Sequence, residues 1–478
     1  MTDSTRSLIT AAAVLTSLAG LCPESLGQAY DLEFAVRPGE VIDGFTVRGV
    51  NGVWLNDGDA FVVSVSDEDR TDAVITRGRV VARVGQTYSL GSASPGVPAT
   101  FVLGTFWTGS VQIVNNGDVG IVTFANEVLR FNAIDDTVDV LAEAGTVLSG
   151  GPTTTVSSAT LDRIERPFRL MDDGSAVFSA RFDGPGGPVW GICSTDGVII
   201  SESDTVGGFP VSRVSPSAMA LNVAADGTIF FMTSPPGSDR AVITPSSVVL
   251  ADGQTFLGIS DLELANSDVV SANSEGVVAL EVRLGGARAV VATDGRLIAT
   301  AGEMIDGAVV GDPEDIWIND QGDVSFSTLE NQVFGPDGLV LDAGARIDGL
   351  QVDLVQATTL RMTNDGEIYF IASFVDDLGE FIGGGLIRAT PRAGQCSVDI
   401  TTSGATLSGQ PGFGIPDGNV DLDDLGFFLN SWLTGDIEAD YTTTGATLPG
   451  QPGFGVADGN VDLDDLGYFL TQWLAGCP

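Results

Sequence analysis

Two short acidic runs in this 478-residue chain have the residue types and spacing to bind a hard cation. "DGNVDLDDL" at 417–425 returns unchanged at 458–466, an offset of 41 residues. Calcium takes about six to eight oxygen ligands, and Asp-x-Asx-x-Asp-Gly spacing converges them in one loop. With Gly418 at the tight turn, Asp417 is the ligand before it. Asn419 then offers a backbone carbonyl, Asp421 a direct or water-bridged carboxylate, and Asp424 the terminal carboxylate. The second copy assigns the same roles to Asp458, Asn460, Asp462 and Asp465. Asp399 and Thr401, like Asp440 and Thr442, are the candidates for the first two ligands of each loop. Between Thr401 and Asp417 stand 15 residues, "TSGATLSGQPGFGIP", where a standard loop has one. Closure entropy grows slowly with length, so a Gly/Pro-rich insert can loop out while its ends stay together.

Helices must hold these loops. Leu422, Leu425, Phe428, Leu429, Trp432 and Leu433 recur in steps of three and four, as do Leu463, Leu466, Phe469, Leu470, Trp473 and Leu474. Each set falls on one helical face. Without metal, Asp at the start of such a helix is still favourable, because the helix N-terminus carries partial positive charge.

Composition narrows what the remainder can do. There are 64 Asp+Glu against 21 Lys+Arg, a net charge of -43, yet 43% of residues are hydrophobic. Such a chain folds, and its charge repels nucleic acid and anionic lipid while suiting a soluble protein or a cation binder. The chain has no His. That removes the commonest general base, the Ser/His and Cys/His nucleophile pairs and imidazole metal sites. At the N-terminus, Arg6, the apolar run Leu8 to Leu21 and the small-x-small Gly27-Gln28-Ala29 form a secretory signal over 1–29. The run is too short to span a bilayer. Removing it leaves Cys193, Cys396 and Cys477.

Residues 30–392 repeat a hairpin signal: "LNDGDAFVV", "VNNGDVGIV", "MDDGSAVFS", "AADGTIFFM", "NSEGVVALE", "NDQGDVSFS" and "TNDGEIYFI". Gly58, Gly117, Gly174, Gly227, Gly276, Gly322 and Gly366 supply the positive φ of a tight turn. They are 59, 57, 53, 49, 46 and 44 residues apart, the length of one four-stranded antiparallel unit. Seven units predict a mainly β chain with a seven-bladed β-propeller. A second element, "GEVIDG" (39–44), "GQTFLG" (253–258), "GEMIDG" (302–307) and "GARIDG" (344–349), precedes each turn, with looser forms at Gly85, Gly145 and Asp204. The seventh unit lacks this tail, and the chain begins with one. Strand exchange between the ends, pairing 30–44 with about 351–390, would close the ring and remove a free edge. Inside the repeats the Asp and Asn beside each Gly read as turn formers. Trp54, Trp107, Trp190 and Trp317 read as core, with a carbohydrate-stacking platform as the other reading. No nucleotide loop, nucleophile elbow or catalytic residue is assigned.

The duplicated segment, 396–478, resembles a dockerin, the small two-loop calcium module at the ends of secreted bacterial proteins, and looks especially like a divergent anchor with this Gly/Pro insert and a Gly-Cys end. Asp424 and Asp465 match the Asp that dockerins favour at the last loop position. The upstream repeats look like a family of secreted proteins built from tandem Asn-Asp-x-Gly units. The resemblance implies an EF-hand-like α-helical module, calcium as cofactor and a cohesin-like partner. The function it implies is a secreted, non-catalytic propeller, possessing an anchor to the cell surface or an extracellular, polysaccharide-associated assembly. The alternative is an anchored carbohydrate-active enzyme using propeller carboxylates. In a pseudo-twofold module, Cys396, opposite Ile437 by the 41-residue offset, meets Cys477 just past the second helix. A disulfide there is expected, contributing about 4 kcal/mol in the chain-entropy model. Cys193 is then a small buried hydrophobe.

Overall fold

The computed structural model describes residues 30–391 and 400–475, apart from 57–59, 77, 92–99, 134, 152–153, 155, 185–186, 212–220, 225, 234–239, 259–261, 265–269, 343, 357–358, 402–421, 436–438, 443 and 446–458. The chain divides into two compact units between Thr390 and Pro391. No helix among the described residues is long and apolar enough to cross a membrane.

The first unit is almost entirely antiparallel β-sheet. Its strands are short apolar runs such as Phe61–Ser66, Val119–Thr123, Ile229–Thr233 and Val324–Thr328, buried along nearly their whole length. Runs of this kind belong to sheets covered on both faces. Seven sheets of four or more strands follow one another along the chain among the described residues. Their innermost strands are, in order, Gly49–Leu55, Phe106–Ile113, Ser158–Leu170, Leu221–Val223, Ser271–Ala272, Pro313–Ile318 and Arg361–Met362. Each of these touches the next, and the last touches the first.

The hydrophobic core is divided in the same way, lying between adjacent sheets. Val62, Val74 and Ile121 join the first sheet to the second, and Tyr369, Ile371 and Leu386 of the seventh pack on Val53, Val63 and Ile75 of the first. The seventh sheet takes its outermost strand from the chain's beginning: Tyr30–Val36 pairs with Phe381–Pro391. Tyr30 is fully buried against Val333, Leu341 and Ile368. Sheets two and three depart from the plain four-strand plan. Thr87–Leu90 runs parallel to Thr137–Glu143, and Val147–Gly150 bridges both edges of the third sheet.

Two kinds of turn alternate. At the Asx-Gly signals only the glycine takes positive φ, 79° to 87° at Gly117, Gly174, Gly227, Gly276, Gly322 and Gly366. The carbonyl three residues earlier accepts the glycine amide, from Val114 at 2.8 Å to Thr363 at 3.2 Å. This is the three-residue hairpin with a left-handed glycine. The "VIDG"-type tails instead make two-residue hairpins in which both central residues are left-handed, Asp43 and Gly44, Asp306 and Gly307, Asp348 and Gly349. Leu257 sits at the same position with φ 54°, where a branched side chain is strained.

In the second unit, helix α1 spans Leu422–Thr434 and α2 spans Leu463–Ala475. Phe428 of α1 and Phe469 of α2, equivalent by the 41-residue offset, stack with ring centroids 4.0 Å apart. Leu425, Leu429, Trp432, Leu466 and Trp473 pack around that pair.

Candidate functional site

The turn register decides which side chains reach the middle of the first unit. In each Asx-Gly hairpin one residue both accepts the glycine amide and donates its own amide across the turn: Val114, Met171, Ala224, Asn273, Asn319 and Thr363. In the first sheet Asn56, donating to the Ala60 carbonyl at 3.0 Å, takes this place. Two residues back along a strand the side chain returns to the same face. That position is Trp54, Gln112, Arg169, Asn222, Ser271, Trp317 and Arg361, one from each innermost strand.

Four of the seven meet. The Arg169 guanidinium lies 4.3 Å from the Trp54 ring, Arg361 lies 4.6 Å from Trp54 and 4.7 Å from Trp317, and the two indoles meet edge to face at 5.6 Å. The first sheet is not adjacent to the third or the sixth, so these contacts cross the axis of the ring. Such cation–π contacts strengthen as water is excluded. Trp317 Nε1 donates to the Met362 carbonyl at 3.0 Å. The polar members of the ring join neighbouring sheets: Gln112 Nε2 donates to the Phe168 carbonyl at 2.5 Å, and Ser271 Oγ accepts the Ile318 amide at 3.0 Å.

Burial sets the electrostatics. Desolvation pushes the Arg361 guanidinium down to about 10, opposed by Asp315. It holds Arg169 well below the usual range, with the Arg361 charge acting in the same sense. Asp315, two residues before Trp317, is fully buried and pushed up to about 6 by desolvation, although Arg361 and the Leu360 and Ile316 amides favour its charged form.

Above this layer opens a cavity of about 530 Å³, floored by Trp54, Trp317 and Arg169 and walled by the turns. The wall is braced between sheets. Asp172 accepts the Asn115 amide at 2.9 Å and its side-chain Nδ2 at 2.8 Å, and Asp320 accepts the Ser274 amide at 2.8 Å. Burial alone would raise the Asp320 carboxyl, but hydrogen bonds from Ser274 and Asn364 outweigh it and hold it low. Asp173 and Asp226 accept the amides of Ser175 and Thr228, both at 2.8 Å, and these bonds lower their carboxyls. These acids act as turn formers. Sequence reasoning missed the ring beneath them. The signal was available as the residue two before each turn acceptor, but those residues share no type. Of the other tryptophans of the first unit, Trp107 lies tilted against Phe124 with ring centroids 4.0 Å apart, and Trp190 lies half-buried beside Arg181.

In the second unit, Asp424 and Asp465 are both fully buried. Asp424 Oδ1 accepts the Ile400 and Thr401 amides at 2.8 and 2.9 Å, and Asp465 Oδ1 accepts those of Tyr441 and Thr442 at 2.7 and 2.8 Å. Asp465 Oδ2 also accepts the Asp462 amide at 2.7 Å, and Asp440 Oδ2 accepts the Gly459 amide at 2.5 Å. The start of each repeat is thus tied to the start of its helix, and in the second repeat Asp440, Thr442, Asp462 and Asp465 share one hydrogen-bonded loop. Asn460 is exposed. Asp399, Asp417, Asn419, Asp421, Asp458, Cys396 and Cys477 lie outside the described residues. Among the described residues no three carboxylates converge closely enough to hold a metal ion. Cys193 is a free, buried thiol, its pKa raised by desolvation.

No family model matches the chain, and no curated protein matches it either. Solved structures that resemble it include the WD40 β-propeller domain of Doa1, at 11% identity and TM-score 0.35, covering 76% of this chain and 98% of that one. An oligogalacturonate lyase in complex with manganese gives 10% identity and TM-score 0.43, covering 76% and 96%. The extracellular domain of a hybrid two-component system of B. thetaiotaomicron gives 10% identity and TM-score 0.36 over 80% of this chain, which spans 46% of that domain. At this level the likenesses carry no argument about activity.

Proposed function

We propose that residues 30–392 form a seven-bladed β-propeller that binds a ligand or partner without catalysis, and that the chain is secreted and anchored through a dockerin-like calcium module at 396–478. The observation that carries the binding role is the cup at the ring's axis, which residues from every innermost strand line. The anchor reading is supported by the repeated tie of Asp424 and Asp465 to their own repeat starts and by the Phe428–Phe469 stack. Calcium supplies a hard cation for oxygen donors. On this reading the ligands of the second loop are Asp440, Thr442, Asp458, Asn460, Asp462 and Asp465, of which the described ones would have to come closer together than they stand here, and those of the first are Asp399, Thr401, Asp417, Asn419, Asp421 and Asp424. A cohesin-like partner, on a surface or a polysaccharide-bound assembly, would dock on the helices.

Limited proteolysis of the full chain with millimolar calcium or with a chelator tests the anchor. Protection of 396–478 by calcium is the expected result. Equal cleavage in both conditions would remove the calcium module from the reading. The alternative, an anchored carbohydrate-active enzyme, requires an acid pair available to substrate. The Asp172 and Asp320 carboxylates that line the cup each accept a backbone amide of the neighbouring sheet, which leaves them acceptor capacity for a ligand while committing them to bracing the wall. Turnover of any polysaccharide by the secreted chain, abolished by Asp172→Asn or Asp320→Asn, would favour the enzyme.

A further inference from the structure

The cup has a cationic floor in a chain of net charge -43, and its wall carries the carboxylates of Asp172, Asp173, Asp226 and Asp320 among Asn, Ser and Thr side chains. Arg169 lines the floor at 4% exposure. A second guanidinium, Arg361 at 3% exposure, shares the same indole, and its buried Nε has no hydrogen-bond partner among the described residues. A buried carboxylate, Asp315, opposes the charge of Arg361. Two like charges held on one ring repel each other, and an anion in the cup would relieve that repulsion. Guanidinium is also the side chain best shaped for a carboxylate, through two parallel N–H donors.

The wall adds a second requirement. Asp172 and Asp320 bring negative charge and further acceptor capacity to the rim. A bare anion would meet repulsion there, whereas a ligand carrying hydroxyl or ammonium donors at its other end would be held at both ends. The volume, about 530 Å³, is that of a site for a small organic molecule.

We propose that the cup binds a small hydroxy- or amino-carboxylate, its carboxylate against Arg169 over the Trp54–Trp317 floor and its donors toward the Asp172 and Asp320 wall. This deepens the reading of the first unit as a binding propeller and rests on it.

The test is calorimetric titration of the full chain with three probes: gluconate, which has carboxylate and hydroxyls; sorbitol, which has the hydroxyls alone; and acetate, which has the carboxylate alone. Gluconate is expected to bind saturably, acetate more weakly, and sorbitol not at all at equal concentration. Arg169→Gln should weaken gluconate binding by about tenfold or more, with Arg169→Lys between the two, because lysine keeps the charge and loses the fork. Sorbitol binding as tightly as gluconate, an unchanged affinity in a folded Arg169→Gln chain, or no gluconate heat at concentrations on the order of 10 mM would each overturn the proposal. If Arg169→Gln does not fold, the gluconate–sorbitol comparison on the unaltered chain decides. The calcium-protection experiment reads residues 396–478, so failure of the ligand class is distinguishable from failure of the anchor reading.

Discussion

Asp315 makes the stability of the first unit depend on pH in a direction opposite to that of most carboxylates. Burial raises it from an ordinary value of 3.8 to about 6. Between those values the folded protein keeps a proton that the unfolded chain has released. The stability this group contributes is therefore complete below about 3.8 and is lost as pH rises through about 6. The gap of about 2.2 corresponds to roughly 3 kcal/mol. Asp315→Asn keeps an acceptor oxygen for the Leu360 amide and removes the titration. Its constant cost or gain, including the loss of a partner for Arg361, does not vary with pH over this range, where Arg361 stays protonated. Urea unfolding followed by tryptophan fluorescence, on both chains from about pH 4 to about pH 8, measures the difference, and the general repulsion among 64 acidic residues largely cancels. The expected outcome is that the unaltered chain loses most of roughly 3 kcal/mol relative to Asp315→Asn over that range. A difference that is flat within about 1 kcal/mol, or that grows in favour of the unaltered chain as pH rises, would refute the assignment of a desolvated acid behind the Trp317 layer.

Tyr30→Ala empties a fully buried site in the strand that completes the seventh sheet and should destabilise the first unit by about 3–5 kcal/mol in urea unfolding, with aggregation as the Phe381–Pro391 edge becomes available. Phe428→Ala removes one ring of the Phe428–Phe469 stack and should cost about 3–5 kcal/mol, read as faster proteolysis within 400–475 while the first unit keeps its midpoint. Non-reducing peptide mapping of the full chain, produced in an oxidising compartment, should find Cys396 joined to Cys477 and Cys193 free. Either of the first two linked to Cys193 would end the pseudo-twofold reading of the anchor.

The repeats and their turn glycines were legible in the sequence because the chemistry is local. A left-handed residue after an Asx must be glycine at low cost, and strands buried on both faces must be apolar throughout. The duplicated helices were legible for a like reason: a spacing of three and four residues puts Phe428 and Phe469 on apolar faces whatever lies opposite. What the sequence did not contain was the register of one hairpin against another. Asn116 and Asp43 each stand immediately before a turn glycine and look alike in the sequence. Yet Asn116 keeps a negative φ while Asp43 takes φ 49°, because the loop before one glycine is a residue longer than the loop before the other. The first sheet is offset by one residue against its own glycine, so Trp54 and Arg169 occupy equivalent places that no alignment on glycine reveals. Only the tertiary structure decided that these two, with Trp317 and Arg361, share one buried layer. Their contact depends on the strand pairings of seven sheets and on the closing of the ring, a long-range condition that no local sequence window carries.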